Sequence, residues 1–197
     1  MQVICFVNSV FQSNTYLLLD ITTSEIYLVD FGDIEPVKIY IDENGLKPCG
    51  VFLTHTHFDH IYGLNELLRL YPALQVYTSE FGQQALGNDK LNLSHYNRNP
   101  FVFNHLSNVQ LLKEGDRILL WNKIALEVIA TPGHDKSCLT YQVDNCLFTG
   151  DSYIPGVKVI TTFPNSDKEE AKLSTERILN LVGGRKIYPG HGDTTSS

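Results

Sequence analysis

The chain has 197 residues, 43% of them hydrophobic and 19% charged, which suits one globular domain over residues 1–197 and excludes a disordered polymer. A formal charge of −7 excludes a surface that is basic on average, and with it nucleic acid as the expected partner, because that binding rests on Lys and Arg neutralising phosphates. No apolar run approaches the roughly 18 residues of a membrane span, and polar Asn8, Gln12, Ser13 and Asn14 break the N-terminal stretch that a secretory leader would keep apolar, so a cytoplasmic protein without a membrane partner is expected.

Short runs rich in β-branched and aromatic residues predict strands at Val3–Val7, Thr15–Asp20 and Glu25–Val29. Glu35–Glu43 reads as a short helix ended by Asn44-Gly45, and Gly50–Thr54 as a compact apolar strand. Ile61, Leu64, Leu67, Leu68 and Tyr71 recur at helical spacing until Pro72 ends the pattern. Gln75–Thr78 reads as a strand, Glu80–Leu86 as a weaker helix, and the polar, aromatic stretch Leu91–Ser107 as a long loop. A second strand-rich block covers Arg117–Trp121, Ile124–Ala130, Leu139–Val143 and Cys146–Thr149. Helix Lys168–Val182 follows, with Ser166 and Glu169 as its capping box, Gly183-Gly184 as its stop, and Ala171, Ile178, Leu181 and Val182 as its core face. Strand Lys186–Tyr188 and a polar tail close the chain. Each half runs from strands to helix to strand, so two sheets covered by helices are expected. Cys5, Cys49, Cys138 and Cys146 show neither CxxC nor zinc-finger spacing and are expected to be buried, reduced thiols.

The chemistry concentrates in Thr54-His55-Thr56-His57-Phe58-Asp59-His60, directly after the strand ending at Thr54. Four metal-capable side chains fall within six residues, and three of the chain's seven histidines are among them, which a solvated polar turn does not explain. His55 and His57 can face one side of an extended backbone, while Asp59 and His60 sit where the chain turns into the next helix. That arrangement suits two adjacent metals better than one. Three further candidates each follow a strand and a glycine: His134 in Thr131-Pro132-Gly133-His134, Asp151 in Thr149-Gly150-Asp151, and His191 in Tyr188-Pro189-Gly190-His191. Glycine at a strand end permits a sharp turn that other residues resist. Five histidines and two carboxylates differ from the closed, cysteine-rich sets of structural zinc sites and suit hydrolysis, with Asp151 able to offer one oxygen to each ion. The expected cofactors are therefore two divalent ions, zinc by default for a His-rich set, with iron or manganese tolerated. Asp59 and Asp151 are the candidate catalytic residues.

These motifs resemble the metallo-β-lactamase superfamily, whose HxHxDH signature reads here His55-Thr56-His57-Phe58-Asp59-His60, with His134, Asp151 and His191 following in order. Asn14-Thr15-Tyr16-Leu17 and Val29-Asp30-Phe31-Gly32 fit the same pattern. The resemblance implies an αββα sandwich (α+β class) with its site at the edge between the sheets. It implies that His55, His57 and His134 hold one metal, that Asp59, His60 and His191 hold the second, that Asp151 bridges them, and that Asp30 lies behind the ligands. Within the superfamily the chain looks most like glyoxalase II-like hydrolases lacking the C-terminal helical domain that grips glutathione. It differs from them in Asp135-Lys136-Ser137-Cys138, where small residues are usual. The implied reaction is hydrolysis of a small-molecule thioester or ester by a hydroxide held between the metals.

Two rival readings share the motifs. A mononuclear-iron, persulfide dioxygenase-like oxygenase would use the equivalents of His55, His134 and Asp151 alone, and a non-catalytic metal-binding module would need no substrate. For recognition, Lys158 could hold a substrate carboxylate, and the Leu91–Ser107 loop could wall the site. His95 and His105 are expected at the surface, and Tyr96, Phe101 and Phe103 either line a pocket or pack in the core. Oligomeric state is not encoded in any of these patterns.

Overall fold

A computed structural model describes residues 1–196. Two six-stranded sheets form its centre. The first is built in chain order from β1 (Gln2–Val7), β2 (Asn14–Leu19), β3 (Glu25–Val29), β4 (Lys47–Phe52), β5 (Gln75–Thr78) and β6 (Val109–Leu111). The second runs β7 (Arg117–Leu120), β8 (Ile124–Ala130), β9 (Leu139–Val143), β10 (Cys146–Gly150), β11 (Lys186–Pro189) and β12 (Thr195–Ser196). Pairing is antiparallel from β1 to β3 and from β7 to β10; β3 to β6 and β10 to β11 pair in parallel. The parallel steps occur where helices intervene, as crossover connections require.

The period-2 alternation of strands divides the core in two. Leu17, Ile26, Leu28, Val51 and Leu53 pack outward with Val37 and Ile41 of α1 (Ile34–Glu43), Leu64, Leu67 and Leu68 of α2 (Leu64–Leu70) and Leu86 of α3 (Glu80–Leu86). Their neighbours Tyr16, Leu18, Val29 and Phe52 pack inward against Leu126, Val128, Tyr141, Val143 and Phe148 of the second sheet. Two tyrosines bolt the sheets together, Tyr141 donating to the Leu53 carbonyl and Tyr16 to the Pro189 carbonyl, both at 2.6 Å. On the far side α4 (Lys168–Val182) buries Ala171, Ser174 and Ile178, and Ser174 Oγ donates to the Pro132 carbonyl. The result is the expected four-layer αββα sandwich. No helix of the described residues is long and apolar enough to cross a membrane.

Several local expectations are corrected. The helix after the metal motif begins at Leu64, because Phe58–His60 winds into a tighter 3-10 turn first. β6 and β12 are end strands of three and two residues, too short for an alternation to mark them as strands. The cap of α4 is Asp167, which accepts from the backbone N–H groups of Glu169 and Glu170; Ser166 instead donates to the His134 carbonyl at 2.6 Å. Only Cys138 is a buried thiol, and burial pushes its pKa up, whereas Cys5 on edge strand β1 is exposed. The Leu91–Ser107 loop contains the 3-10 turn Ser94–Tyr96 and packs inward through Asn92, Phe101 and Phe103, leaving Tyr96 exposed.

Candidate metal centre

All seven predicted site residues come from loops at the C-terminal ends of strands. His55, His57, Asp59 and His60 follow β4, His134 follows β8, Asp151 follows β10 and His191 follows β11. Leu139 N–H donates to the Thr54 carbonyl at 2.7 Å, and Asn14 N–H to the Gly190 carbonyl at 2.7 Å, so the mouths of the two sheets meet here. The three strand-end glycines act for two different reasons. Gly133 (φ +129°) and Gly150 (φ +50°) adopt conformations that side chains resist, whereas Gly190 is needed for space.

The side chains gather in two triplets whose ligand atoms lie within 4.8 Å of one another: His55, His57 and His134, and Asp59, His60 and His191. Asp151 lies between them. Its Oδ2 is 3.5 Å from His134 Nε2 and 3.5 Å from His191 Nε2, and its Oδ1 is 3.7 Å from His60 Nε2. Asp30, His55 and His60 are equally close, but the Asp30 carboxylate is engaged otherwise. It accepts from Thr54 N–H, Thr54 Oγ–H and His60 Nδ1, at 2.7, 2.7 and 2.9 Å. Asp30 itself has φ 54°, a left-handed conformation that Asp tolerates better than most residues.

Proton positions follow from the outer partners. His134 Nδ1 faces the Ile160 carbonyl at 2.9 Å and His191 Nδ1 faces the Phe11 carbonyl at 3.1 Å; a carbonyl only accepts, so each nitrogen donates. Thr54 spends its hydroxyl proton on Asp30, so it accepts from His55 Nδ1 at 3.2 Å. In the neutral ring, the form that binds a metal, each of these histidines then turns a lone pair inward. His134 Nε2 and His57 Nδ1 confront each other at 3.0 Å, and His60 Nε2 and His191 Nε2 at 3.2 Å. His55 Nε2 and Asp151 Oδ1 are buried with no hydrogen-bond partner. Acceptors converging on acceptors in a buried place lack only a cation, so the residues fit divalent metal ions.

The electrostatics point the same way. Burial opposes charge on His60, yet Asp59, Asp30 and Asp151 push its pKa up to about 9. Burial likewise opposes charge on His191, but Asp151 and Asp59 push it up to about 10. Burial holds His55 and His134 below the ordinary imidazole range. Burial would raise Asp151, but His191, His60 and His134 hold it far below the carboxylate range. The carboxylates thus favour positive charge at His60 and His191, whereas burial disfavours it at His55 and His134.

Two exposed aromatic side chains escaped notice in sequence. Phe163, 36% exposed, has its ring centroid 5.2 Å from that of His57 and 5.8 Å from that of His134, both in T-shaped contact. Phe11, 75% exposed, lies in the β1–β2 turn whose backbone carbonyl holds His191. Both stand outside the motif, and only the folded loops bring them near it. Lys158 is exposed in a cleft of about 450 Å³ against α4, and Phe101 and Val102 line another of about 500 Å³ with Phe58 and Tyr62. None of the seven site residues lines either cleft. The Leu91–Ser107 loop instead buttresses the motif, Phe58 N–H donating to the Asn92 carbonyl at 2.9 Å. His95 is exposed beside Asp89, and His105 is half-buried.

Asp30→Ala is expected to lower stability by about 3 kcal/mol or more, because it strands three buried donors on Thr54 and His60. Denaturant unfolding checks it, with Asp30→Asn, which keeps an acceptor, expected to lose less.

The Metallo-beta-lactamase superfamily model matches residues 8–191. "Glyoxylase B2" of Dictyostelium discoideum is 30% identical over 162 residues, 81% of this chain; the chain spans 54% of that protein's length. "Probable metallo-hydrolase YqgX" of Bacillus subtilis (strain 168) is 30% identical over 188 residues, 93% of this chain and 87% of that protein. Among solved structures, TTHA1623 in a di-iron-bound form superposes with a TM-score of 0.83 at 25% identity, covering 98% of this chain and 94% of that one. ETHE1 from Myxococcus xanthus superposes with a TM-score of 0.75 at 26% identity, covering 100% and 80%. Motif order, the two-sheet sandwich and the converging His/Asp cluster agree with these matches, and the chain belongs to the metallo-β-lactamase superfamily, a superfamily of metal-dependent hydrolases.

Proposed function

We propose that the chain is a dinuclear hydrolase of small thioesters or esters. The observation that carries this reading is Asp151, whose two oxygens lie between two complete triplets. His55, His57 and His134 would hold one ion, Asp59, His60 and His191 the other, and Asp151 both. When bound, the two ions supply Lewis acidity for a carbonyl oxygen and lower the pKa of a water to about 7.

The chain's own groups do the rest. Asp59 Oδ2, 3.2 Å from His191 Nε2 and largely but not wholly buried, can accept a hydrogen bond from the attacking water and orient it. Phe163 and Phe11 offer apolar surface at the mouth to an acyl or alkyl group. Among the described residues, neither Lys nor Arg pairs with the site carboxylates, whose ion-pair partners are all histidines. With the site histidines committed as ligands, neither Lys nor Arg is poised to protonate a leaving group, and a thiolate, which departs without prior protonation, is the best match. The names of the Dictyostelium and Bacillus relatives support a hydrolase, and the di-iron form of TTHA1623 makes iron a necessary arm beside zinc and manganese.

Protein loaded with each metal is expected to turn over an acyl thioester faster than a lactone, with S-lactoylglutathione as the test of glutathione recognition and chelator-treated protein inactive. Two ions per chain should be found. Untouched esters, one iron per chain and oxygen consumption with a persulfide would establish the rival oxygenase. Against that rival stands the second triplet, in which His191 is pinned by Phe11 and His60 by Asp30 although a single-metal site would leave both idle.

A further inference from the structure

We propose that Asp135 is a positioning residue for the metal centre: its carboxylate takes the Nε2–H of His57, fixes that tautomer and presents Nδ1 to the ion. This rests on the reading of His57 as a ligand. His55, His60, His134 and His191 all turn Nε2 inward and place Nδ1 on an outer partner: Thr54 Oγ, the Asp30 carboxylate, the Ile160 carbonyl and the Phe11 carbonyl. His57 is inverted. Its Nδ1 faces His134 Nε2 at 3.0 Å, and its Nε2 faces Asp135 Oδ2 at 3.5 Å. A neutral imidazole carries one ring proton, so Nδ1 is a ligand only when the proton resides on Nε2.

Both ends of this contact lack any other answer. His57 Nε2 and Asp135 Oδ2 are each buried without a hydrogen-bond partner. The 3.5 Å gap exceeds a made N–H···O bond, and contacts of this kind tighten when a site is loaded. Asp135 cannot turn away. Its Oδ1 accepts from Ser137 N–H at 2.8 Å and from Ser137 Oγ–H. Ser137 Oγ in turn accepts from Thr56 N–H at 3.1 Å, between His55 and His57, and Ser137's carbonyl accepts from Ser79 Oγ at the cap of α3. A closed circuit, Thr56–Ser137–Asp135–His57, thus ties the loop carrying His134 to the loop carrying His57. A carboxylate serving only the 135–137 turn would use Oδ1 alone, leaving a buried anionic oxygen unpaired at a cost. Carboxylate partners orient ligand imidazoles and raise their basicity, and their loss typically weakens metal affinity about 10–100-fold.

The test combines zinc titration against a competing chelator with ring-nitrogen NMR of the zinc-loaded protein. In the wild type, His57 is expected to be protonated at Nε2 and the other four site histidines at Nδ1. In Asp135→Asn, Ser137's donors hold the amide oxygen, so the amide NH2 meets the Nε2–H of His57, donor against donor. That variant should lose the protected Nε2–H signal and bind the first zinc about 10–100-fold more weakly, while the second triplet keeps its spectrum. Should Asp135→Asn fail to fold, Ser137→Ala, which leaves the carboxylate but frees it, carries the same readout with a smaller loss. A wild-type His57 protonated at Nδ1, or a folded variant with unchanged affinity and unchanged ring spectrum, overturns the proposal. Wild-type protein that takes up no zinc, iron or manganese overturns the ligand reading and this proposal with it. Full uptake with indifference to the variants overturns this proposal alone.

Discussion

Asp151→Ala is expected to cut hydrolysis by about 100–1000-fold, the scale on which removing one preorganised electrostatic group acts, and to weaken uptake at both metal positions. The carboxylate lies within 3.7 Å of nitrogens from both triplets, and its Oδ1 is buried with no hydrogen-bond partner. Its neighbours are imidazoles of the site rather than the framework, so the metal-free variant should stay folded, with an unfolding temperature lowered because His60 and His191 lose a carboxylate partner. That separation makes the result readable: two-site metal titration reports the loss, and thermal unfolding shows that the loss is not a folding defect. Asp151→Asn, which keeps one coordinating oxygen, should fall between. Loss of one ion with the other held at full affinity would show that Asp151 serves a single position.

The seven side chains were legible in sequence because metal chemistry restricts residue type sharply and the loop after β4 carries four candidates in six positions. The sandwich was legible for a similar reason. Strands such as Glu25–Val29 and Ile124–Ala130 alternate two cores on one backbone, and the observed bounds coincide with those expected. Features set by tertiary neighbours were not legible. β6 and β12 are strands only because a partner strand is there to pair with. Ser166 has the spacing of a capping residue, yet the nearby His134 carbonyl takes its hydroxyl and Asp167 caps instead. The Leu91–Ser107 loop reads as polar, but Asn92 turns its polarity inward, donating to the Ala85 and Phe101 carbonyls at 3.1 Å.

Asp135 shows where the boundary falls. Its carboxylate stands beside His134 in sequence, in a stretch that departs from the small residues usual there. Sequence alone gives it no partner; the fold carries it past His134 to the ring of His57. The outer partners of the other imidazoles are mostly backbone carbonyls, Ile160 and Phe11, which no side-chain pattern encodes. What a metal site needs as ligands is therefore written locally, and what orients those ligands is written in packing.

Gly190→Ala is expected to abolish two-metal loading and to reduce turnover more than about 100-fold, while costing only about 1–3 kcal/mol of stability, the usual range for overpacking. A β-carbon at this position would lie 2.0 Å from Asp151 Oδ1, 3.0 Å from the Gly150 carbonyl carbon and 3.0 Å from His60 Cε1. The backbone of Gly190 cannot retreat, since its N–H donates to the Gly150 carbonyl at 2.9 Å and its carbonyl accepts from Asn14 at 2.7 Å. The movable neighbour is the Asp151 side chain, which would swing out of the space between the triplets. Gly133→Ala makes the contrasting control. There φ is +129° and the β-carbon would meet backbone N and Cα of Ala171 at 2.1 and 2.3 Å, so α4 itself must shift and the fold should suffer first. Metal stoichiometry beside thermal unfolding separates the two. Gly190→Ala that binds two ions normally would show that Asp151 has another place from which to reach both triplets.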